Sequence, residues 1–177
     1  IMVSMKDLFI VSLVLSSIAG AFAVGYWYAG GYDFNAGSDL EDAGFVLAPL
    51  SVTTSKGKVY EFDVAIADES DEKKIGLQVV QSLKSSEGMW FVFDEPGERV
   101  FWMKDMVISL DILFVSSDFE IVSMVEDVPP CSEVDPEQGD CPRYSSVDLA
   151  QYVLELPAGT TERYEIDIGD LVGASSL

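Results

Sequence analysis

The run from Gly88 to Val115, GMWFVFDEPGERVFWMKDMVISLDILFV, holds two of the three tryptophans and the densest apolar patches outside the N-terminus. Its apolar runs are short and separated by turn residues, which restricts the domain to strands. Gly88 to Phe93 reads as a strand buried on both sides, because the run is apolar at every position. Asp94 to Glu98 places Pro beside Gly and predicts a type II turn. Val100 to Met103 then reads as the return strand, Val107 to Val115 as the next, and Phe119 to Val125 as a fourth after a turn at Ser116-Ser117-Asp118. Strands joined by short turns predict antiparallel pairing.

The flanks extend the same pattern. Ser51 to Ala67 predicts a hairpin about Ser55-Lys56-Gly57-Lys58, with Phe62, Val64 and Ile66 on one inward face. Asp68 to Gly76 predicts a short helix, with acidic residues in its first turn, lysines in its last and a glycine at its end. Leu77 to Leu83 fits strand or loop. Asp127 to Ser146, with four prolines and both cysteines, predicts a loop without regular structure. Tyr152 to Leu156 and Leu171-Val172 read as further strands, with a helical turn over Thr160–Glu165 between them. No βαβ alternation is evident. The expected fold is mainly β: a single-domain antiparallel sandwich or distorted barrel over residues 51–177, with one or two short helices, preceded by an N-terminal apolar helix.

Leu8 to Tyr28 carries no charge and is long enough, at ~1.5 Å per residue, to cross a bilayer core as a helix. Tyr26-Trp27-Tyr28 sits where an interfacial aromatic belt would. The same segment also reads as a signal peptide: Lys6, an apolar stretch from Leu8 to Ile18, and small-x-small sites at Ala19–Ala21 and Ala21–Ala23. Residues 1–28 are thus an anchor or a cleaved signal, and 29–50, rich in Gly, Ala and Asp, a linker. Either reading puts the domain outside the cytoplasm, membrane-anchored or secreted.

Ten basic residues stand against 31 acidic ones, a net charge of −21. Phosphate contacts need a basic patch, so nucleic acid is not an expected partner, and the membrane is met only through the N-terminal helix. The chain has no histidine. Ser-His-Asp and Cys-His machinery is excluded, and with it the commonest zinc ligand.

Several spaced strings together resemble one family. They are Gly88-Met89-Trp90-Phe91, Phe101-Trp102-Met103-Lys104, Leu110-Asp111-Ile112, Pro129-Pro130-Cys131, Cys141-Pro142 with Tyr144, Leu154 to Gly159, and Gly169-Asp170. In this order the chain resembles the domain of unknown function 192 family over about residues 52–173. The resemblance implies a compact, mainly β domain and no assigned activity. Three positions depart from the usual pattern: Asp105-Met106 stands for Asn-Thr, Ser109 for Pro and Gln78 for Met.

Two features are candidates for chemistry. Cys131 and Cys141, the only cysteines, predict a disulfide in an extracytoplasmic domain. Asp111 lies among large apolar residues, and Lys104 is the nearest cation in sequence. Trp90, Trp102, Met103, Lys104 and Asp111 form a candidate pocket, the two charged residues as a buried pair. Trp90, Trp102 and Met103 are equally good core residues. The carboxylates Glu126, Asp127, Glu133, Asp135, Glu137 and Asp140 crowd one loop and offer oxygen ligands for calcium, though not at EF-hand spacing. No cofactor or metal site is expected. The expected function is a non-enzymatic binding or accessory module for an unknown small molecule or protein. The alternatives are a small-molecule-binding or hydrolytic enzyme using Trp102, Lys104 and Asp111, and a calcium-binding surface domain.

Overall fold

The computed structural model of the protein describes residues 39–174. The expected apolar helix and the first part of the expected linker, residues 29–38, lie outside the described residues. Where the linker was expected to continue, there is structure: a one-turn helix, α1 (Asp39–Asp42), with Leu40 fully buried, and a strand, β1 (Leu47–Thr53), that starts before residue 51. Among the described residues no helix is long and apolar enough to cross a membrane.

The domain is built on a curled seven-stranded sheet. Its strands are β1, β2 (Val59–Ala67), β3 (Glu87–Gly97), β5 (Leu110–Val115), β6 (Ile121–Val128), β8 (Ala150–Pro157) and β9 (Leu171–Ala174), in the order β6-β5-β8-β3-β2-β1-β9. β4 (Val100–Trp102) and β7 (Arg143–Ser145) form a separate two-stranded ribbon. The curl brings the two ends of the sheet together at a bridge between Glu120 and Leu171. Backbone bonds from Ile121 N–H to the Asp170 carbonyl and from Val172 N–H to the Phe119 carbonyl flank that seam.

The predicted β1–β2 hairpin forms, with Thr54 N–H bonded to the Lys58 carbonyl across the turn. The predicted helix forms as α2 (Ser70–Ile75), with a reciprocal cap between Glu69 and Glu72. Gly76, at φ 50°, turns α2 into a single 3-10 turn over Gly76–Val79. The connection has a consequence the sequence reading missed. β2 and β3 pair in parallel, so the sheet is mixed, and residues 68–86 are the crossover such a pair requires.

β3 also runs farther than its apolar core, through Pro96 to Gly97, so the expected turn at 94–98 falls at its end. The strand after it does not return along β3. It becomes β4 and pairs with β7. The loop expected to lack regular structure supplies both β7 and a short helix, α3 (Cys131–Val134), which the Cys131–Cys141 disulfide ties down with a Cα separation of 5.4 Å. After β8 the predicted helical turn is α4 (Thr160–Tyr164).

Alternation along the strands creates two cores. Leu50, Val52, Phe62, Val64, Trp90, Leu113, Leu154, Leu156 and Val172 gather on the concave face, where β1, β6 and β9 also meet. Met89, Phe91, Ile112, Phe114 and Val153 face the other way and are covered by Leu40, Leu77, Met103, Met106 and Cys131. Central strands buried on both faces explain why Gly88–Phe91 and Ile112–Val115 read as unbroken apolar runs.

Candidate functional site

Asp111 is fully buried, as expected of a carboxylate in that strand, but its partner is not Lys104. It accepts four hydrogen bonds: from Asp127 N–H at 2.9 Å, Gly159 N–H at 3.2 Å, Thr161 N–H at 2.9 Å and the Thr161 hydroxyl at 3.0 Å. Asp127 and Gly159 both have positive φ, so Asp111 fixes two turns that would otherwise leave buried donors unpaired. The Thr161 hydroxyl also lies 2.7 Å from Glu126 Oε1. This is a structural clamp: three backbone N–H groups hold the carboxylate, and the one Thr161 hydroxyl proton lies between it and Glu126.

The rest of the expected pocket is divided by the sheet. Trp90 packs in the concave core, stacked on Tyr152 with ring centroids 5.0 Å apart. Asp111 alternates with Ile112 and opposes Leu156, which puts it on the same concave side. Met103 is buried in the other core. Trp102 is 43% exposed, and its ring carries the Lys104 ammonium at 5.5 Å and the Arg143 guanidinium at 5.2 Å. Trp102, Met103 and Lys104 therefore sit together, while Trp90 and Asp111 do not join them.

The carboxylates of the 126–140 segment do not converge. Among the described residues no group of three acidic, His or Cys side chains could hold a metal ion. Asp135 instead accepts the Asp140 and Glu137 N–H groups, and the former holds its carboxyl below the usual range.

Four acidic side chains are buried in the described domain: Glu87, Asp111, Glu155 and Asp170. Three are satisfied. Glu87 pairs with the Lys84 ammonium at 3.1 Å, Asp111 has its four donors, and Asp170 accepts Ser55 N–H at 2.7 Å and Asp167 N–H at 2.8 Å. Glu155 is 5% exposed and, among the described residues, has neither a hydrogen bond nor an ion pair for its carboxyl. Burial alone pushes its pKa up to about 8. A carboxylate cannot be left bare in an apolar setting at low cost, so at neutral pH this group is mainly the neutral acid, a hydrogen-bond donor.

Glu155 lies in the middle of β8, between Met89 of β3 and Ile112 of β5. It lines a cleft of about 50 Å³ with Phe91, Phe101, Trp102 and Met106, and Lys73, Lys74, Gly76 and Gln78 stand on the α2 side. Three elements meet there. The sheet brings the acid, the β4–β7 ribbon brings the aromatic wall, and the crossover brings the lysines. Phe91 and Phe101 meet edge to face at 5.0 Å, which fixes the wall. Lys73 Nζ donates to the Val92 carbonyl at 2.8 Å and to the Asp68 carbonyl, so α2 is pinned beside the cleft.

A larger groove of about 540 Å³ follows Asp39–Phe45 and α2; two of its three acids are engaged, Asp39 with Ser82 and Glu72 with the N–H groups of Asp68 and Glu69. Glu155 is what sequence reasoning missed. A signal was present, since it is the only acid in the strand Tyr152–Leu156.

Comparison with known proteins supports the architecture. The model of the DUF192 family, described as an uncharacterized ACR, matches residues 51–174. A crystal structure of a candidate transcription regulator from Sinorhizobium meliloti 1021 is 28% identical, with a TM-score of 0.67, and the match covers 75% of this chain and 97% of that one. A protein of unknown function from Novosphingobium aromaticivorans DSM 12444 is 30% identical, with a TM-score of 0.66, over 74% of this chain and 87% of the other. No curated protein matches.

Proposed function

The chain belongs to the DUF192 family, and from that premise we propose that its domain is a non-enzymatic binding module, outside the cytoplasm, that receives a small ligand group at Glu155. The observation that carries this reading is the unpartnered, buried carboxyl aimed into an aromatic cleft. Natural folds rarely leave such a group without a partner, and the exceptions mark sites. The cleft has no second acid, no histidine and no hydroxyl nucleophile among its lining residues, so binding is favoured over turnover.

An extracytoplasmic setting agrees with the disulfide, which persists in oxidising compartments, and with the uncharged run Leu8–Tyr28, as an anchor or a signal. The name of the Sinorhizobium meliloti protein raises gene regulation as a role, but a net charge of −21 argues against direct contact with nucleic acid.

The test is a thermal-shift screen of small polar molecules on the full chain, with Glu155→Leu and Trp102→Ala beside the wild type. Compounds that stabilise the wild type and lose their effect in both variants support the reading. Stabilisation that survives in both variants places the ligand elsewhere and ends it. Mass spectrometry of the mature protein tests the location: a cleaved N-terminus or an oxidised Cys131–Cys141 pair in the native host is expected, and an intact, reduced chain would contradict it.

A further inference from the structure

The cleft's surroundings say what kind of group it takes, given the reading that it is a binding site. We propose that the ligand group is a carboxylate, presented by a small monocarboxylic acid and held between the Glu155 carboxyl and the α2 lysines that line the cleft.

The charge distribution decides the sign. Acids outnumber bases 31 to 10 in the chain. Around this one cleft the ratio is reversed. Lys73 and Lys74 line it, Lys104 and Arg143 lie over the Trp102 ring that forms its wall, and Glu155 is the only acid among the lining residues. Two of the ten basic residues thus line a cleft that holds a single buried acid, and two more lie over the ring of one of its walls. A cationic ligand would enter against those charges. An anion is drawn to them, and the low-dielectric walls keep the field from being screened.

The acid completes the argument. A carboxyl with no protein partner, at the edge of solvent, is open to an incoming acceptor. In its neutral form it donates its O–H, and an ionised carboxylate is the strongest acceptor for such a donor. No bond is made or broken, and the proton stays on Glu155. The cleft, of about 50 Å³, is a small site that suits a small ligand group. Lys74, exposed at the end of α2, is free to close over the bound group, whereas Lys73 is held by its carbonyl bonds and contributes charge from a fixed place.

The groups that face Glu155 also fix the pH response. α2 brings Lys73 and Lys74, the ribbon brings Trp102 with Lys104 and Arg143 behind it, and β3 and β5 bring the apolar Met89, Phe91 and Ile112. No second carboxylate shares the cleft, so one ionisation governs it. Above about pH 8 Glu155 becomes an anion, loses its donor and repels the ligand.

The experiment is an NMR titration of the full chain with acetate, phosphate and methylammonium in turn, read at the Trp102 indole N–H, at pH 6 and pH 9. Acetate is expected to bind at pH 6 and about tenfold more weakly at pH 9, where only about one Glu155 in ten keeps its proton. Glu155→Gln, which keeps a donor but cannot ionise, is expected to bind acetate about equally at both pH values. Lys74→Ala is expected to weaken acetate severalfold at pH 6. If methylammonium or phosphate binds and acetate does not, the carboxylate assignment is wrong and the cleft remains a site. If none of the three probes moves the Trp102 signal at either pH, both the assignment and the site reading fall.

Discussion

Replacing Glu155 by Gln should change how stability depends on pH, and the size of the change follows from burial. In the unfolded chain the side chain titrates at an ordinary carboxylate value of 4.5, and in the fold at about 8. The folded value is raised, so between these limits the native state binds the proton that the unfolded state has released. Stability must therefore fall as pH rises through that window, by about 1.4 kcal/mol per pH unit. Across the whole window the loss is on the order of 4 to 5 kcal/mol, a large share of the ~5–15 kcal/mol that holds a typical domain together. Glu155→Gln has no such group to ionise. Urea unfolding of both proteins, at half-unit steps from pH 4.5 to pH 9, isolates the effect in the difference between the two profiles, because the many surface acids are common to both. The variant is expected to gain on the wild type steadily with pH and to level off above about pH 8. Parallel profiles would show that Glu155 is solvated or partnered in solution, and the argument from its isolation would fail.

Other outcomes follow from the same geometry. Asp111→Ala strips four donors of their acceptor and should destabilise by about 3–5 kcal/mol or prevent folding, measured by denaturant midpoint against Asp111→Asn, which keeps one acceptor and should cost less. Gly88→Ala places a Cβ 2.4 Å from the Glu155 backbone carbonyl, so β3 and β8 must separate; a loss of at least ~2 kcal/mol is expected, and an unchanged melting temperature would contradict the close approach. Reducing the disulfide that closes residues 131–141 should cost about 2–3 kcal/mol by loop entropy, seen as a lower thermal midpoint with reductant present and no change in a Cys131→Ser/Cys141→Ser control.

The strands were legible wherever burial on both faces left an unbroken apolar run, as in Gly88–Phe93 and Ile112–Val115. Their pairing was not. Nothing local tells β3 to take β2 as a parallel neighbour, since that choice is made by β8, which inserts between β3 and β5 from fifty residues away. The ribbon was hidden for a related reason: Arg143-Tyr144-Ser145 is too short and polar to signal a strand, and it becomes one because Val100–Trp102 needs a partner. At the site, the sequence pointed to the Trp102–Lys104 corner and to a buried acid, and it named Asp111. Asp111 is buried but satisfied. The unsatisfied acid is Glu155, and no sequence pattern separates the two, because satisfaction depends on amides from Asp127, Gly159 and Thr161 that only the fold assembles.

The place of β8 also governs when the chain can acquire its shape. Residues up to Val128 can form the β1–β2 hairpin and the β5–β6 hairpin, yet these two halves touch through no shared strand until Ala150–Pro157 arrives between them. Synthesis proceeds from the N-terminus, so the keystone of the sheet is among the last parts to emerge. The domain therefore stays open until β8 has emerged. That delay leaves strand edges unpaired during synthesis and exposes the emerging domain to aggregation.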